Sequence, residues 1–148
     1  MNGTRYKIGY TTGVFDLFHV GHLNILRRAK EMCDYLIVGV STDELAWEYK
    51  GKKPVIPYVE RTAIVEAIRY VNKVVPQINR DKIAAFEKYK FNAMFVGDDW
   101  KGEKLFLEVE QELNKKGASL VYLPYTKNVS STLLNKVLEK INDNKLEI

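Results

Sequence analysis

Cysteine is almost absent from this 148-residue chain, and long hydrophobic runs are absent altogether. The only cysteine, Cys33, has no partner for an internal disulfide, and its place at the end of an amphipathic pattern predicts a buried structural thiol. No apolar stretch approaches the roughly 20 residues that a membrane-spanning helix requires. The first residues also lack the basic head and apolar centre of a secretory signal. We therefore expect a cytoplasmic protein with no membrane partner.

The chain also carries little net charge. Its 23 Lys and Arg residues are interspersed with 19 acidic residues, which gives a formal net charge of +4. Nucleic-acid-binding proteins usually concentrate basic residues on one face or in one run, so we expect no nucleic-acid partner. A modest positive charge suits small anionic substrates, because it attracts them without holding polymers tightly. The length is that of one domain, and we expect residues 1–148 to form one, with 143–148 as a frayed tail.

Strand and helix patterns alternate regularly along the sequence. Runs rich in β-branched and aromatic residues predict strands, and apolar residues at helical spacing predict helices. The predicted strands are residues 6–12, 35–41, 71–76, 92–97 and 119–124, and the predicted helices are 22–32, 58–70, 80–90, 103–116 and 130–141. The basic segment 43–57 contains two prolines and is predicted to be an irregular loop. The alternation predicts an α/β fold with an open, parallel, five-stranded sheet and helices on both faces.

The only two histidines, His19 and His22, lie between the first predicted strand and the first predicted helix. A helix N-terminus offers N–H groups and partial positive charge to a phosphate, and Gly21 lets a ligand approach the backbone. Two imidazoles there could stabilise charge that develops on a phosphate during its transfer. The alternatives are that the histidines cap the helix or bind a metal. A zinc site normally needs three or four protein ligands, and the chain has no other histidine and only the distant Cys33 to complete a site of soft ligands. We therefore predict no protein metal site.

Several segments, taken in order, resemble the cytidylyltransferase family of nucleotidyltransferases. They are GVFDLFHVGH (13–22), DYLIVGVSTDE (34–44), ER with IRYV (60–71), GDDW (97–100) and VSST (129–132). The mark of the family is His-x-Gly-His, present here as residues 19–22, and the resemblance covers about residues 7–140. It implies a Rossmann-like fold and an enzyme that transfers CMP from CTP to a small phosphorylated alcohol, such as glycerol 3-phosphate, with release of pyrophosphate. It also implies Mg²⁺ held mainly by the triphosphate, and a homodimer.

The resemblance assigns roles to residues at the predicted carboxyl ends of the strands. The predicted catalytic residues are His19, His22, Lys50 and Arg69. The predicted nucleotide-binding residues are Thr12, Gly13, Val14, Phe15, Gly21, Gly97, Asp98, Asp99, Trp100, Ser130, Ser131 and Thr132. The predicted acceptor-binding residues are Asp16, Lys52, Arg61, Tyr125 and Lys127. Lys50 and Lys52 compete for one phosphate contact, because the loop that holds them differs in length from the family pattern.

Structural alternatives accompany these roles. The lysines of residues 50–53 could form a solvated surface, and either aspartate of GDDW could cap the following helix or help to place Mg²⁺ through water. Arg61 and Arg69 are close to two helical turns apart and could share a helix face. The family pattern has arginine before Thr-Glu-Gly, where this chain has Tyr125, so the identity of the acceptor stays open. The alternative functions are an ATP-dependent adenylyltransferase and a nucleotide-binding module without catalysis.

Overall fold

A five-stranded sheet runs through the centre of the computed structural model, which describes residues 5–124 and 131–143. Its strands are β1 (Tyr6–Gly13), β2 (Cys33–Ser41), β3 (Lys73–Gln77), β4 (Ala93–Gly97) and β5 (Ser119–Leu123). The helices are α1 (Val20–Glu31), α2 (Asp43–Lys50), α3 (Tyr58–Ala67), α4 (Lys82–Tyr89), α5 (Lys104–Lys115) and α6 (Ser131–Asp143), with a short 3-10 helix at Asp98–Trp100. None of the helices in these ranges is long and apolar enough to cross a membrane.

The strands are all parallel and follow the order β3-β2-β1-β4-β5. The chain moves outward from β1 to β3, returns to the other side of β1 as β4, and continues outward to β5. The order therefore reverses between β1 and β4, which pair through Thr11 and Phe95. In open α/β sheets, ligands bind outside the carboxyl ends of the strands at such a reversal. The predicted fold class is confirmed, and it places a site beyond Gly13 and Gly97.

Helices cover both faces of the sheet, as predicted. On one face, α4 and α5 pack on a core that includes Tyr10, Phe91 and Leu113. On the other face, α1 and α3 pack on a second core that includes Leu26 and Val65. The strands are apolar on both sides because each side is covered, which is the usual pattern of buried parallel sheets.

Cys33 is buried, as predicted, but it begins β2 and does not end α1. Its thiol lies against the backbone of Gly9. A Cβ added to Gly9 would lie 2.8 Å from the Cys33 sulfur and 2.6 Å from the ring of Phe95. Burial raises the pKa of this thiol, which agrees with a packing role.

The prediction of an irregular loop over residues 43–57 is wrong for its first half, where helix α2 forms. Both prolines, Pro54 and Pro57, lie beyond the end of α2, so neither interrupts it. The Thr42 side chain accepts the N–H of Leu45 as the N-cap, and Gly51 ends the helix with φ at +75°. A glycine in the left-handed region is a common helix stop. The consequence for the site is that Lys50 lies on a helix.

Candidate active site

The connection from β1 to α1 brings the two histidines together, with ring centroids 4.0 Å apart. Nδ1 of His19, the N-cap of α1, accepts the N–H of Gly21 at 3.0 Å, and Nδ1 of His22 accepts the N–H of His19 at 3.2 Å. The capping alternative is therefore correct, and it is compatible with phosphate binding. When Nδ1 of a neutral imidazole accepts a hydrogen bond, its proton is assigned to Nε2. Each ring then carries a donor at Nε2.

The environment of the two rings keeps them neutral. The ring of His22 lies 5.3 Å from that of Phe15 and 5.2 Å from that of Phe18, measured between centroids. Burial lowers the pKa of His22 to about 3, and the neighbouring His19 and Lys50 contribute to the decrease. Burial also lowers the pKa of His19. At neutral pH the histidines can therefore offer N–H donors to a phosphate, but not an imidazolium charge.

Two residues of the same connection have an unfavourable backbone conformation. Phe15 and Leu17 have φ values of +56° and +50°, which residues other than glycine rarely adopt. Such strain persists only where neighbouring groups hold it, and it is common in ligand-binding loops. Asp16 lies between these two residues and is 5% exposed. Its carboxylate accepts the N–H groups of Val55 and Ile56, both at 2.8 Å. Asp16 was predicted to bind the acceptor, but both of its carboxylate oxygens accept hydrogen bonds from the backbone.

Arg61 was predicted to bind the acceptor, but its side chain is 0% exposed. Its guanidinium donates to the carbonyl oxygens of Ile56, Val14 and Ser41 and pairs with Asp43 at 2.6 Å. These partners lie in the connection after β1, at the end of β2 and the start of α2, and in the segment before α3. Arg61 thus joins three segments of the chain and has no surface to present to a ligand. We correct its role to a structural one.

The two competing lysines point to different neighbours. Lys50 is close enough for its charge to act on His22 and to be acted on by Asp16. Burial lowers the pKa of Lys50, and the Asp16 carboxylate opposes that shift. Lys52 instead pairs with Glu139 of α6, with 3.2 Å between Nζ and Oε1. The charge of Lys50 therefore acts on the histidine pair, whereas Lys52 lies in an exposed ion pair.

Arg69 is not brought to the histidines in this chain. Helix α3 ends at Ala67, so Arg69 lies in the following turn, exposed, and shares no helix face with the buried Arg61. Its guanidinium donates to the hydroxyl of Tyr70. Three residues later, the N–H of Asn72 donates to the carbonyl of Leu36 in the first half of β2. This turn therefore lies toward the amino ends of the strands, opposite the predicted site.

At the carboxyl end of β4, the predicted nucleotide-binding residues form a tight turn. A Cβ on Gly97 would lie 2.5 Å from Oδ1 of Asp99, so the Asp99 side chain folds back closely over this glycine. Burial raises the pKa of Asp99. The N-cap of α5 is Glu103, so neither Asp98 nor Asp99 caps that helix, and this alternative is wrong.

The last predicted segment is described only in part. Tyr125, Lys127 and Ser130 lie outside the described residues. Helix α6 begins at Ser131, with Thr132 in its first turn, which agrees with the predicted helix start. Among residues 5–124 and 131–143, no group of three or more His, Cys, Asp or Glu side chains could hold a metal ion.

Lys82, the first residue of α4, was not predicted from the sequence to belong to the site. Lys82 is 9% exposed, and its Nζ donates to Oγ1 of Thr12, a predicted nucleotide-binding residue, at 3.2 Å. Burial lowers its pKa to about 8, and the charge of Arg80 contributes. In the described ranges no carboxylate lies within 4.0 Å of this amine. Its position in the sequence could have identified it. Lys82 follows a predicted strand and the helix cap Asp81, and so lies at the carboxyl edge of the sheet with the other polar segments.

Comparison with known proteins agrees with this arrangement. Residues 10–137, which include both histidines and the GDDW segment, match the family described as cytidylyltransferase-like. The chain belongs to the cytidylyltransferase-like family. A glycerol-3-phosphate cytidylyltransferase of Bacillus spizizenii is 43% identical over 127 residues, which cover 85% of this chain and 92% of the relative. An FAD synthase of Thermococcus sibiricus is 31% identical over 134 residues, covering 88% and 89%.

The fold of this chain is also similar to that of solved structures. The crystal structure of the lipopolysaccharide core biosynthesis protein from Thermoplasma volcanium has a TM-score of 0.69 at 26% identity. The superposition covers 84% of this cytidylyltransferase-like chain and 99% of that protein. The family match itself runs from within β1 to within α6, and the paired histidines lie near its start.

Proposed function

We propose that this protein transfers CMP from CTP to a small phosphorylated alcohol, glycerol 3-phosphate or a related polyol phosphate, and releases pyrophosphate. One observation carries the proposal. Two neutral imidazoles cap the helix at the carboxyl end of the central strand, in a chain 43% identical to a glycerol-3-phosphate cytidylyltransferase over 92% of its length. Donors and helix N-termini are the groups that bind and polarise phosphates.

The reaction is an in-line displacement at the α-phosphorus of CTP. A phosphate oxygen of the acceptor forms the new bond to phosphorus, and the bond to the oxygen bridging to the β-phosphate breaks, so that pyrophosphate leaves with the electron pair. The acceptor phosphate is already ionised near neutral pH, and therefore no general base is needed. The protein contributes position and charge. His19 and His22 donate Nε2–H to phosphate oxygens, and Lys50 adds positive charge.

The acceptor phosphate is proposed to bind on the β1–β3 side, near Lys82. A buried ammonium is costly without an anion beside it, and the partner found for Lys82 is the neutral hydroxyl of Thr12. On the β4 side, Asp98 and Asp99 are proposed to accept hydrogen bonds from the ribose hydroxyls, with Trp100 as the adjoining residue.

Magnesium is proposed to accompany the triphosphate. Mg²⁺ is usually held by one or two carboxylates, substrate phosphates and water. Here the triphosphate would supply most of the ligands, and Asp98 or Asp99 would help to place the ion through water. The ion would neutralise phosphate charge. We also propose a homodimer, which light scattering tests, and a cytoplasmic location, where nucleoside triphosphates are available.

The decisive experiment is a pyrophosphate-release assay with CTP, Mg²⁺ and a panel of alcohol phosphates. We expect turnover with CTP that requires an acceptor and is highest with a polyol phosphate. Turnover with ATP in place of CTP would replace the proposal with the adenylyltransferase alternative. Nucleotide binding without turnover in any mixture would support the module without catalysis.

A further inference from the structure

A series of contacts links the histidine loop to the far side of the proposed acceptor site. Tyr49, in the last turn of α2, precedes Lys50, whose charge acts on His22. The guanidinium of Arg80 lies over the ring of Tyr49 in a cation–π contact, with 4.7 Å between Cζ and the ring centroid. Arg80 lies in the connection from β3 to α4, two residues before Lys82. These residues therefore border one region at the carboxyl ends of β1, β2 and β3.

The two cations of the β3–α4 connection differ in depth. Lys82 is buried beneath Thr12, whereas Arg80 is exposed. Arg80 is near enough for its charge to act on Lys82. The proposed acceptor places its phosphate at Lys82 and its other end beside Arg80 and Tyr49, which lie at the exposed rim of this region.

We propose that Arg80, which lies over the ring of Tyr49, determines the choice of acceptor. It favours polyol phosphates, which have neutral hydroxyl groups at the end away from the phosphate, over amino-alcohol phosphates. The inference rests on the proposed function and names the residue that distinguishes acceptor classes within it. A guanidinium offers five N–H donors in a planar fork, which hydroxyl groups can accept. An ammonium group in the same position meets like charge.

The aromatic ring at the rim is already occupied by cations of the protein itself. Proteins recognise ammonium groups by placing them over exposed aromatic faces. Tyr49 is 39% exposed, but Arg80 lies over its ring, and Nζ of Lys50 is 6.0 Å from the same centroid. Asp81, the acidic residue next to Arg80, accepts the N–H of Ala84 as the cap of α4. The rim thus favours hydroxyl groups over an ammonium group.

The test compares kcat/KM for glycerol 3-phosphate and phosphoethanolamine, with CTP saturating, in the wild type and in Arg80→Gln. The wild type should favour glycerol 3-phosphate, and Arg80→Gln should reduce that preference about tenfold, mainly through KM of the acceptor. Tyr49→Ala removes the ring over which the guanidinium lies, and it should change the preference in the same direction. Arg27→Gln, on an exposed position of α1, is the matched control and should leave it unchanged.

The outcomes separate this inference from the function on which it rests. A wild type that turns over CTP with an alcohol phosphate, together with an unchanged preference in Arg80→Gln, overturns the role of Arg80 and leaves the proposed function standing. A wild type that is inactive with every alcohol phosphate overturns both. Because Arg80 is exposed, Arg80→Gln should fold normally, and circular dichroism of the purified variant checks this.

Discussion

At the scale of single residues, the two nitrogens of each histidine ring serve different purposes. Nδ1 accepts a backbone N–H and fixes the start of α1, and this fixes the proton on Nε2. In the proposed mechanism, stability and catalysis depend on different atoms of one side chain, and substitutions can separate them.

His19→Asn tests that separation. Asparagine is a strong N-cap residue, and its side-chain oxygen can accept the N–H of Gly21 as Nδ1 does, but it has no donor at the Nε2 position. We expect stability close to that of the wild type, with kcat about 10²–10³-fold lower, the usual effect of losing one donor to a developing charge. His19→Ala should lose the same activity and also about 1 kcal/mol of stability. Urea unfolding and pyrophosphate release measure the two effects, and full activity of His19→Asn would contradict the role of Nε2.

The pKa of His22 predicts a dependence of stability on pH. The unfolded chain takes up a proton near pH 6.5, whereas the folded ring does so only near 3. Between these values the unfolded state binds more protons, so acid lowers the free energy of unfolding. From pH 7 to pH 5 the loss due to this residue should be about 2 kcal/mol.

His22→Gln provides the comparison, since glutamine at the third helical position can complete the same capping box without titrating. Urea unfolding at both pH values should show that the variant loses about 2 kcal/mol less than the wild type. Equal losses in the two proteins would mean that the His22 ring is not held neutral by the fold.

At the scale of elements, Arg61 shows how the connections around the site are held. One buried guanidinium donates to the carbonyl of Val14 before the strained turn, to the carbonyl of Ser41 at the end of β2, and to Asp43 at the start of α2. Asp16 adds two bonds to the segment before α3. The strained backbone at Phe15 and Leu17 persists because these bonds connect it to its neighbours.

Arg61→Lys should therefore destabilise the protein. A lysine supplies one charged centre in place of a planar fork and leaves several buried carbonyl groups without donors. We expect a loss of about 3 kcal/mol in the free energy of unfolding. Arg69→Lys, at an exposed turn, is the matched control and should change it by less than about 0.5 kcal/mol. Similar values for the two variants in urea unfolding would show that the bonds of Arg61 contribute little.

How far the sequence predicted these elements depended on how local the signals were. The five strands and the helices that pack on them follow from periodic apolar residues, and the predicted sheet is confirmed. Helix α2 was missed because the prolines near it suggested a loop, although its own signals, Thr42 and Gly51, are local. The burial of Arg61 and the position of Lys82 depend on contacts between residues 20 to 70 positions apart. No local pattern could reveal them.

At the scale of the whole molecule, the candidate site takes one group from nearly every connection at the carboxyl edge of the sheet. The histidines follow β1, Lys50 lies on α2 after β2, Lys82 follows β3, and Gly97 ends β4. A ligand that bridges these connections binds only when the sheet is assembled. Binding should therefore stabilise the folded chain as a unit, because ligand that binds only the native state shifts the unfolding equilibrium.

Thermal unfolding with CTP, ATP, GTP or UTP and Mg²⁺ tests which nucleotide makes this bridge. At a concentration one hundred times its Kd, a ligand adds about 2.7 kcal/mol, which for a chain of this size corresponds to a rise in Tm of about 5–10 °C. We expect this rise with CTP and a smaller one with the other three at equal concentration. Arg27→Gln should show the same rise, since its exposed side chain lies on a later turn of α1. A larger rise with ATP would show that the site reads adenine, and the choice of CTP would then be wrong although the transfer chemistry of the paired histidines could still hold.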